Sequence, residues 1–413
     1  MRITIPFGGQ ISEFDTDELC LPVTSVDRFC CTFPPPLSQD EIRGKILKSL
    51  ESYKKLFGSS NVLTVVNDGY RRTPTEQLLS IVWDYLKNGD FIIATGSHRK
   101  PTDNELKKIF GDRLEQIRSR LHIHDCYNKS TLVNFGDTGY GTPIFLNKKV
   151  IDADLIFTIN SVEPHFFAGF TGGRKSLIPG LAGFDTIQAN HRFAKDLKSC
   201  ALNLNDNPLH RDLEEGLKLI SDKTILTIHC VTNRNGEIVD LFVGSLHQAF
   251  LQACSSAARF YTVEAPEKYD IVIANCEPPL DANLYQLQKA QEHGGRMVAD
   301  GGVLITAGAC QEGVGSEYFV KLADKYPTPD SVLDRGMNDD SFGIHKLIKT
   351  ARQLQKFRVY YVTALDEDTI KRLYLSPFNN IKEALNTALE EIGKDAKIAV
   401  LDDAGYTVPV MKL

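Results

Sequence analysis

His165, Lys175 and His191 fall within one stretch, Ser161-Val-Glu-Pro-His-Phe-Phe-Ala-Gly-Phe-Thr-Gly-Gly-Arg-Lys175 and on to Asn190-His191. An imidazole, a primary amine and a second imidazole together can move protons, bind a cofactor covalently and hold a borderline metal. Taken singly, each has a plainer reading: a lone histidine is more often structural, and Gly-Gly-Arg-Lys is more often a basic surface turn. The run from Gly169 to Ser176 comes close to a phosphate-cradling P-loop. Arg174, however, stands where that motif needs the glycine before its lysine, and the run does not follow its strand immediately. That argues against a Walker-type nucleotidase.

These side chains need elements to mount them. Leu155-Ile-Phe-Thr-Ile159 is a continuous apolar run and reads as a buried strand of a parallel sheet. In open α/β sheets, function gathers beyond the carboxyl ends of such strands. Two earlier units repeat the pattern. Asn61-Val-Leu-Thr-Val-Val66 leads to a turn carrying Asp68 and Arg71, and Pro74 opens an amphipathic helix that Gly89 closes. Asp90-Phe-Ile-Ile-Ala94 leads to Thr95-Gly-Ser-His98, and Thr102-Asp-Asn-Glu105 caps the next helix, which sets His98 between a strand end and a helix start. His122 and His124 alternate as in a strand and read as structural or surface residues. Upstream, Ser38-Gln-Asp-Glu41 is a capping box that predicts a helix to about Phe57.

Farther on, Asn233-Arg-Asn-Gly236 between two β-branched runs signals a hairpin, and a helix is expected from about Leu246 to Ala258. Strands at Asp270–Ala274, Gly302–Thr306, Arg358–Val362 and Lys397–Leu401 then alternate with helices. The helix from about Ala282 to Glu292 sets Gln286 and Lys289 on one face of its first turns. The expected fold is two α/β domains with largely parallel, Rossmann-like sheets and the active site in the cleft between them. Residues 1–262 are expected to form the first domain and 263–404 a doubly wound second one, with 405–413 a tail packing back on the first.

Composition narrows the class. The 413 residues carry a formal net charge of −6, which disfavours a nucleic-acid binder, because neutralising phosphates needs a basic face. The nine cysteines are scattered and form no Cys-x-x-Cys pair, so reduced thiols in a cytoplasmic protein are expected. No apolar run approaches the ~18 residues of a membrane span, and no long apolar leader is evident.

Together, Val162-Glu-Pro-His through Lys175-Ser176 with Asn190-His191, Thr95-Gly-Ser-His98, Asp68-x-x-Arg71 and Tyr285-Gln286-x-x-Lys289 resemble the lactate racemase family, the nickel-pincer-nucleotide 2-hydroxyacid racemases and epimerases. The resemblance covers most of the chain. It implies a covalent cofactor on Lys175, a pyridinium-3-thioamide-5-thiocarboxylic acid mononucleotide holding nickel, with His191 as the metal ligand. It implies His98 and His165 as the acid/base pair, and Arg71, Tyr285, Gln286 and Lys289 as substrate contacts. Asp68, Gly172, Gly173 and Arg174 become cofactor contacts, the glycine turn letting backbone amides approach the phosphate. Cofactor-biosynthesis proteins become the implied partners. The chemistry suits these types: two imidazoles on opposite sides of a planar keto acid let either enantiomer lose or regain its hydroxyl proton.

Two departures bear on substrate. Tyr70-Arg71-Arg72 stands where the lactate enzymes read Thr-Arg-Pro, and the only tryptophan, Trp83, is on an early helix. Phe342-Gly-Ile-His-Lys346 occupies the region of the family's tryptophan. The substrate is therefore expected to be a 2-hydroxy acid other than lactate. The rivals are a C2-epimerase of an aldonate or sugar and a non-catalytic nickel- or nucleotide-binding protein. The second needs no pair of acid/base histidines. An ordinary nicotinamide dehydrogenase is disfavoured, since no Gly-x-Gly-x-x-Gly follows a strand.

Overall fold

The computed structural model describes residues 1–23 and 25–412. They form two compact units: Phe33–Phe260, and Met1–Thr32 together with Tyr261–Leu413.

In the Phe33–Phe260 unit the sheet runs, edge to edge, Ile238–Ser245, Thr224–Thr232, Leu155–Ser161, Val62–Asn67, Asp90–Ala94, Leu121–Ile123. All neighbours are parallel except the first pair, the expected hairpin. Every residue of Leu155–Ser161 is buried, as a strand covered on both faces requires. Helices Gln39–Leu50 and Thr75–Leu86 cover the sheet with a core that includes Ile46, Leu79 and Phe157. From Val62–Asn67 the chain builds outward one way through Asp90–Ala94, then crosses to Leu155–Ser161 and builds the other way. The strand order therefore switches between Val62–Asn67 and Leu155–Ser161, the place where α/β sheets open a crevice.

In the second unit the order is Ser376–Phe378, Arg358–Val362, Val298–Ala307, Tyr269–Asn275, Ile398–Leu401, Val26–Phe29, parallel throughout. Helices Leu284–Gly294 and Ile381–Ile392 are among those flanking it.

Three expectations change. Residues 1–32 do not join the first domain, because Val26–Phe29 pairs with Ile398–Leu401 at the edge of the other sheet. The tail, expected to pack back on the first domain, belongs to the second unit, where Val408–Met411 runs parallel to Thr262–Ala265. The helix predicted from Ser38 to Phe57 is two, Gln39–Leu50 and Lys54–Ser59, joined by a 3₁₀ turn.

Candidate active site

The carboxyl ends of three adjacent strands carry the candidate residues of the Phe33–Phe260 unit. Beyond Leu155–Ser161 the chain folds into a tight hairpin in which Pro164–His165 pairs antiparallel with Gly169–Phe170. That turn throws Phe167 to its tip. The Phe167 ring then becomes a shared surface: His165 meets it edge-on at 4.5 Å between centroids, His191 edge-on at 5.1 Å, and the Lys175 ammonium lies 5.6 Å from its centroid. The imidazole, amine and second imidazole of the sequence motif are thus brought together on one aromatic ring. Phe167 had no assigned role; its place directly after Glu-Pro-His-Phe was the only signal.

His165 is buried, and its Nδ1 accepts the Ala168 amide at 3.3 Å. Before it, the buried Glu163 carboxylate accepts from the Ser161 hydroxyl at 2.6 Å and the Thr171 hydroxyl at 3.0 Å. Thr73, from the neighbouring strand tip, donates to Ser161 Oγ at 2.9 Å and ties the two loops.

The next two strand tips supply the second histidine. His98 Nδ1 lies 2.6 Å from Asp68 Oδ2, and the Tyr70 amide donates to Asp68 Oδ1 at 3.1 Å. Burial pushes the Asp68 carboxyl up, but His98 and Arg71 outweigh it and hold it below the usual carboxylate range. Asp68, expected as a cofactor contact, is in direct contact with His98. The Tyr70 ring packs edge-on against the His98 imidazole at 4.9 Å, with the Arg99 guanidinium 5.3 Å from the Tyr70 centroid. Arg99 forks onto Glu105, and Thr102 closes the predicted capping box. Gly96 donates to the Gly180 carbonyl at 3.0 Å, so the His98 turn rests on the segment just past Lys175.

Gly172 and Gly173 both have positive φ, and packing demands them. A Cβ on Gly172 would meet Val162 at 2.8 Å, and one on Gly173 would meet the Phe250 ring at 2.5 Å. Arg174 is buried, with Nη2 donating to the Ala168 carbonyl at 2.7 Å and its guanidinium 4.5 Å from the Phe250 centroid. It braces the His165 hairpin. His191 ends helix Phe184–His191, and the preceding Asn190 donates to buried Asp212 at 2.7 Å. Thr138 and Thr142 donate to the same carboxylate at 2.6 and 2.9 Å. The Asn of Asn-His therefore locks the helix that aims the histidine. His124 is a core residue, with Nε2 on the Ala182 carbonyl at 2.9 Å, and His122 pairs with Asp90 at 3.5 Å; both are structural, as expected.

In the second unit, Asn283 caps helix Leu284–Gly294 by accepting from the Gln286 amide, and Gln286 and Lys289 are both buried. Phe342 stacks on the Tyr285 ring at 6.2 Å, and the Lys346 ammonium sits 3.7 Å from that ring's centroid while donating to the Tyr285 carbonyl at 2.8 Å. Burial, then the nearby Lys289 charge, pulls the Lys346 amine well below its usual value. The Phe342–Lys346 segment thus assembles around Tyr285.

The residues fit a tethered metal-bearing group. Lys175 offers a primary amine for covalent attachment, and His191, on the same Phe167 ring, offers one borderline donor. Among the described residues no three His, Cys, Asp or Glu side chains converge to hold an ion. Among the same residues no helix is long and apolar enough to cross a membrane.

The model of the lactate racemase N-terminal domain matches residues 38–200, and that of the lactate racemase C-terminal domain matches 264–410. The lactate racemase of Thermoanaerobacterium thermosaccharolyticum is 31% identical over 419 aligned residues, 97% of each chain. That of Lactiplantibacillus plantarum is 28% identical, over 90% of this chain and 91% of its own. The lactate racemase apoprotein structure from T. thermosaccharolyticum superposes with a TM-score of 0.85 at 29% identity over the full length of both chains. A Thermotoga maritima protein shares the fold, with a TM-score of 0.71 at 19% identity over 92% of this chain and all of its own. With the chain matched almost end to end, and with the motif residues gathered on adjoining strand tips, this protein belongs to the lactate racemase family.

Proposed function

We propose that this protein racemises or epimerises the C2 carbon of a 2-hydroxy acid, using a nickel-pincer nucleotide tethered to Lys175. The supporting observation is the convergence of His165, Lys175 and His191 on the Phe167 ring. Lys175 would hold the organic group, His191 its nickel, and the amides of the Gly172-Gly173 turn its phosphate. Arg174 would support that turn from behind. When bound, the group supplies reversible two-electron acceptance at the substrate's C2.

The chain's own residues do the rest. Arg71 forks onto the C1 carboxylate. Tyr285, Gln286 and Lys289 are assigned to orienting the hydroxyl and carboxylate. His98 donates its Nδ1 proton to Asp68, which puts its lone pair at Nε2, the atom assigned to take the hydroxyl proton. His165 accepts an amide at Nδ1, so its exchangeable proton resides on Nε2. Each histidine acts on one enantiomer as base and on the other as acid. A buried carboxylate spent on orienting His98 has little use in a carrier that does no chemistry, which disfavours the non-catalytic reading.

The substrate is proposed to be larger or more polar than lactate, such as a dicarboxylate or an aldonate. Tyr70 is buried against His98, and Arg72 follows Arg71 where the lactate enzymes carry proline. The test begins with protein made in cells that also make the pincer. A single adduct should map to the Gly172–Lys175 peptide and vanish in Lys175→Ala, and an adduct persisting in that variant refutes the anchor. Comparing kcat/KM for lactate, malate, 2-hydroxyglutarate and gluconate decides the substrate, and a clear preference for lactate overturns that part.

A further inference from the structure

Behind the anchor turn, between helices Pro208–Lys218 and Leu246–Tyr261, lies a cavity of about 280 Å³ that the proposed reaction does not use. Its walls include Leu217, Leu246 and Phe250, with Arg174, Lys218 and Glu214 as the charged groups. Phe250 is the same ring that closes on Gly173 and carries the Arg174 guanidinium, so the cavity floor is the reverse side of the turn bearing Lys175.

The charges are unevenly matched. Arg174 is 1% exposed, and although Nη1 and Nη2 bind backbone carbonyls, its Nε has no hydrogen-bond partner. Glu214 Oε1 stands 4.0 Å from that Nε, beyond hydrogen-bond range, and Oε2 lies 3.5 Å from His247 Nδ1. A buried guanidinium N–H without an acceptor is costly, and an ionised acceptor relieves it better than a neutral one. Lys218 at the same wall adds a second positive charge against the single Glu214 carboxylate. Ser221 and His247 add polar groups at the wall, and Leu217, Leu246 and Phe250 make up its apolar part.

We propose that this cavity binds a small monocarboxylate with an aliphatic tail, its head between Arg174 Nε and Lys218 and its chain against Leu217, Leu246 and Phe250. A cation is disfavoured by the same two basic groups. A dicarboxylate would have to bury its second charge against Leu246 and Phe250, without a partner. Because the ligand touches Phe250 and Arg174, it bears on the back of the anchor turn without entering the site in front.

The test uses the full chain without cofactor and with no turnover, so its result is independent of the proposed racemisation. Isothermal titration with hexanoate should show saturable binding with Kd on the order of 1 mM or tighter. Hexylamine at the same concentrations should not bind. Leu217→Trp fills the cavity from a half-buried position and should abolish hexanoate binding. Lys218→Glu changes an exposed side chain, leaves folding intact, and should weaken binding about tenfold or more. Absence of hexanoate binding, unchanged binding in Leu217→Trp or Lys218→Glu, or equal binding of hexylamine each overturns the proposal.

Discussion

The two histidine-bearing loops of the Phe33–Phe260 unit hold their imidazoles by opposite means. His98 presents Nδ1 to a buried carboxylate at 2.6 Å, whereas His165 presents Nδ1 to a backbone amide at 3.3 Å. The first ring is fixed as an Nδ1 donor and the second as an Nδ1 acceptor. A neutral His98 therefore offers a lone pair at Nε2, while a neutral His165 offers a proton there. In the proposed reaction the pair would therefore start as one base and one acid. A racemase needs that state, since the two must exchange roles for the opposite enantiomer.

The largest test of this contrast removes either ring. His98→Ala and His165→Ala should each lower racemisation about 10²–10⁴-fold in both directions, measured by chiral chromatography of product. Near-wild-type turnover in either variant reduces that histidine to a structural role. Next comes the carboxylate. Asp68→Asn should cost about 10²-fold or more in kcat with the adduct intact, because an amide no longer stabilises the protonated ring and can select the wrong tautomer. An unchanged rate would erase the distinction between the loops.

The aromatic hub gives a smaller effect. Phe167→Leu removes ring contacts worth about 1 kcal/mol and loosens His165, Lys175 and His191 together, leaving His98 untouched. It should lower nickel content and adduct yield in metal analysis and intact mass, in parallel with rate. His191→Ala, by contrast, should lose nickel and keep the adduct, and nickel retained at full occupancy in that variant would remove His191 as the ligand.

The smallest effect is on pH. The Arg99 fork, opposed by burial and helped by Thr102, pulls Glu105 down to about 2. A carboxyl depressed in the folded state adds stability above its unfolded value near 4.3, and that stability is lost as pH falls through about 2. Glu105→Gln should therefore melt below wild type at pH 6, with the gap closing between about pH 4 and 2. A gap that persists at pH 2 would mean that the Arg99–Glu105 pair does not support the His98 loop through charge.

How much of this was legible from sequence depends on distance along the chain. The strand Leu155–Ser161, the capping box at Thr102 and the Asn233–Gly236 hairpin are written in local periodicity, and each is where the spacing put it. His165, Lys175 and His191, close in sequence, also lie around one ring, that of Phe167. The Asp68–His98 contact was missed because nothing in Asp-Gly-Tyr-Arg says which neighbouring loop its carboxylate will meet. Asp212 was invisible for the same reason: its partners Thr138, Thr142 and Asn190 come from separate segments. Val26-Asp-Arg-Phe29 has too few apolar positions to announce a strand, and only Ile398–Leu401 makes it one.

That edge strand has a consequence for synthesis. Val26 leaves the ribosome hundreds of residues before Ile398, its partner, exists. At about 5–20 residues per second the delay is on the order of tens of seconds. The Phe33–Phe260 unit, continuous in sequence, can complete its sheet during that interval, while Val26–Phe29 waits for its partner strand. Vectorial folding thus favours the unit that bears Lys175 and His191 and leaves the second sheet to close last, from its two chain ends at once.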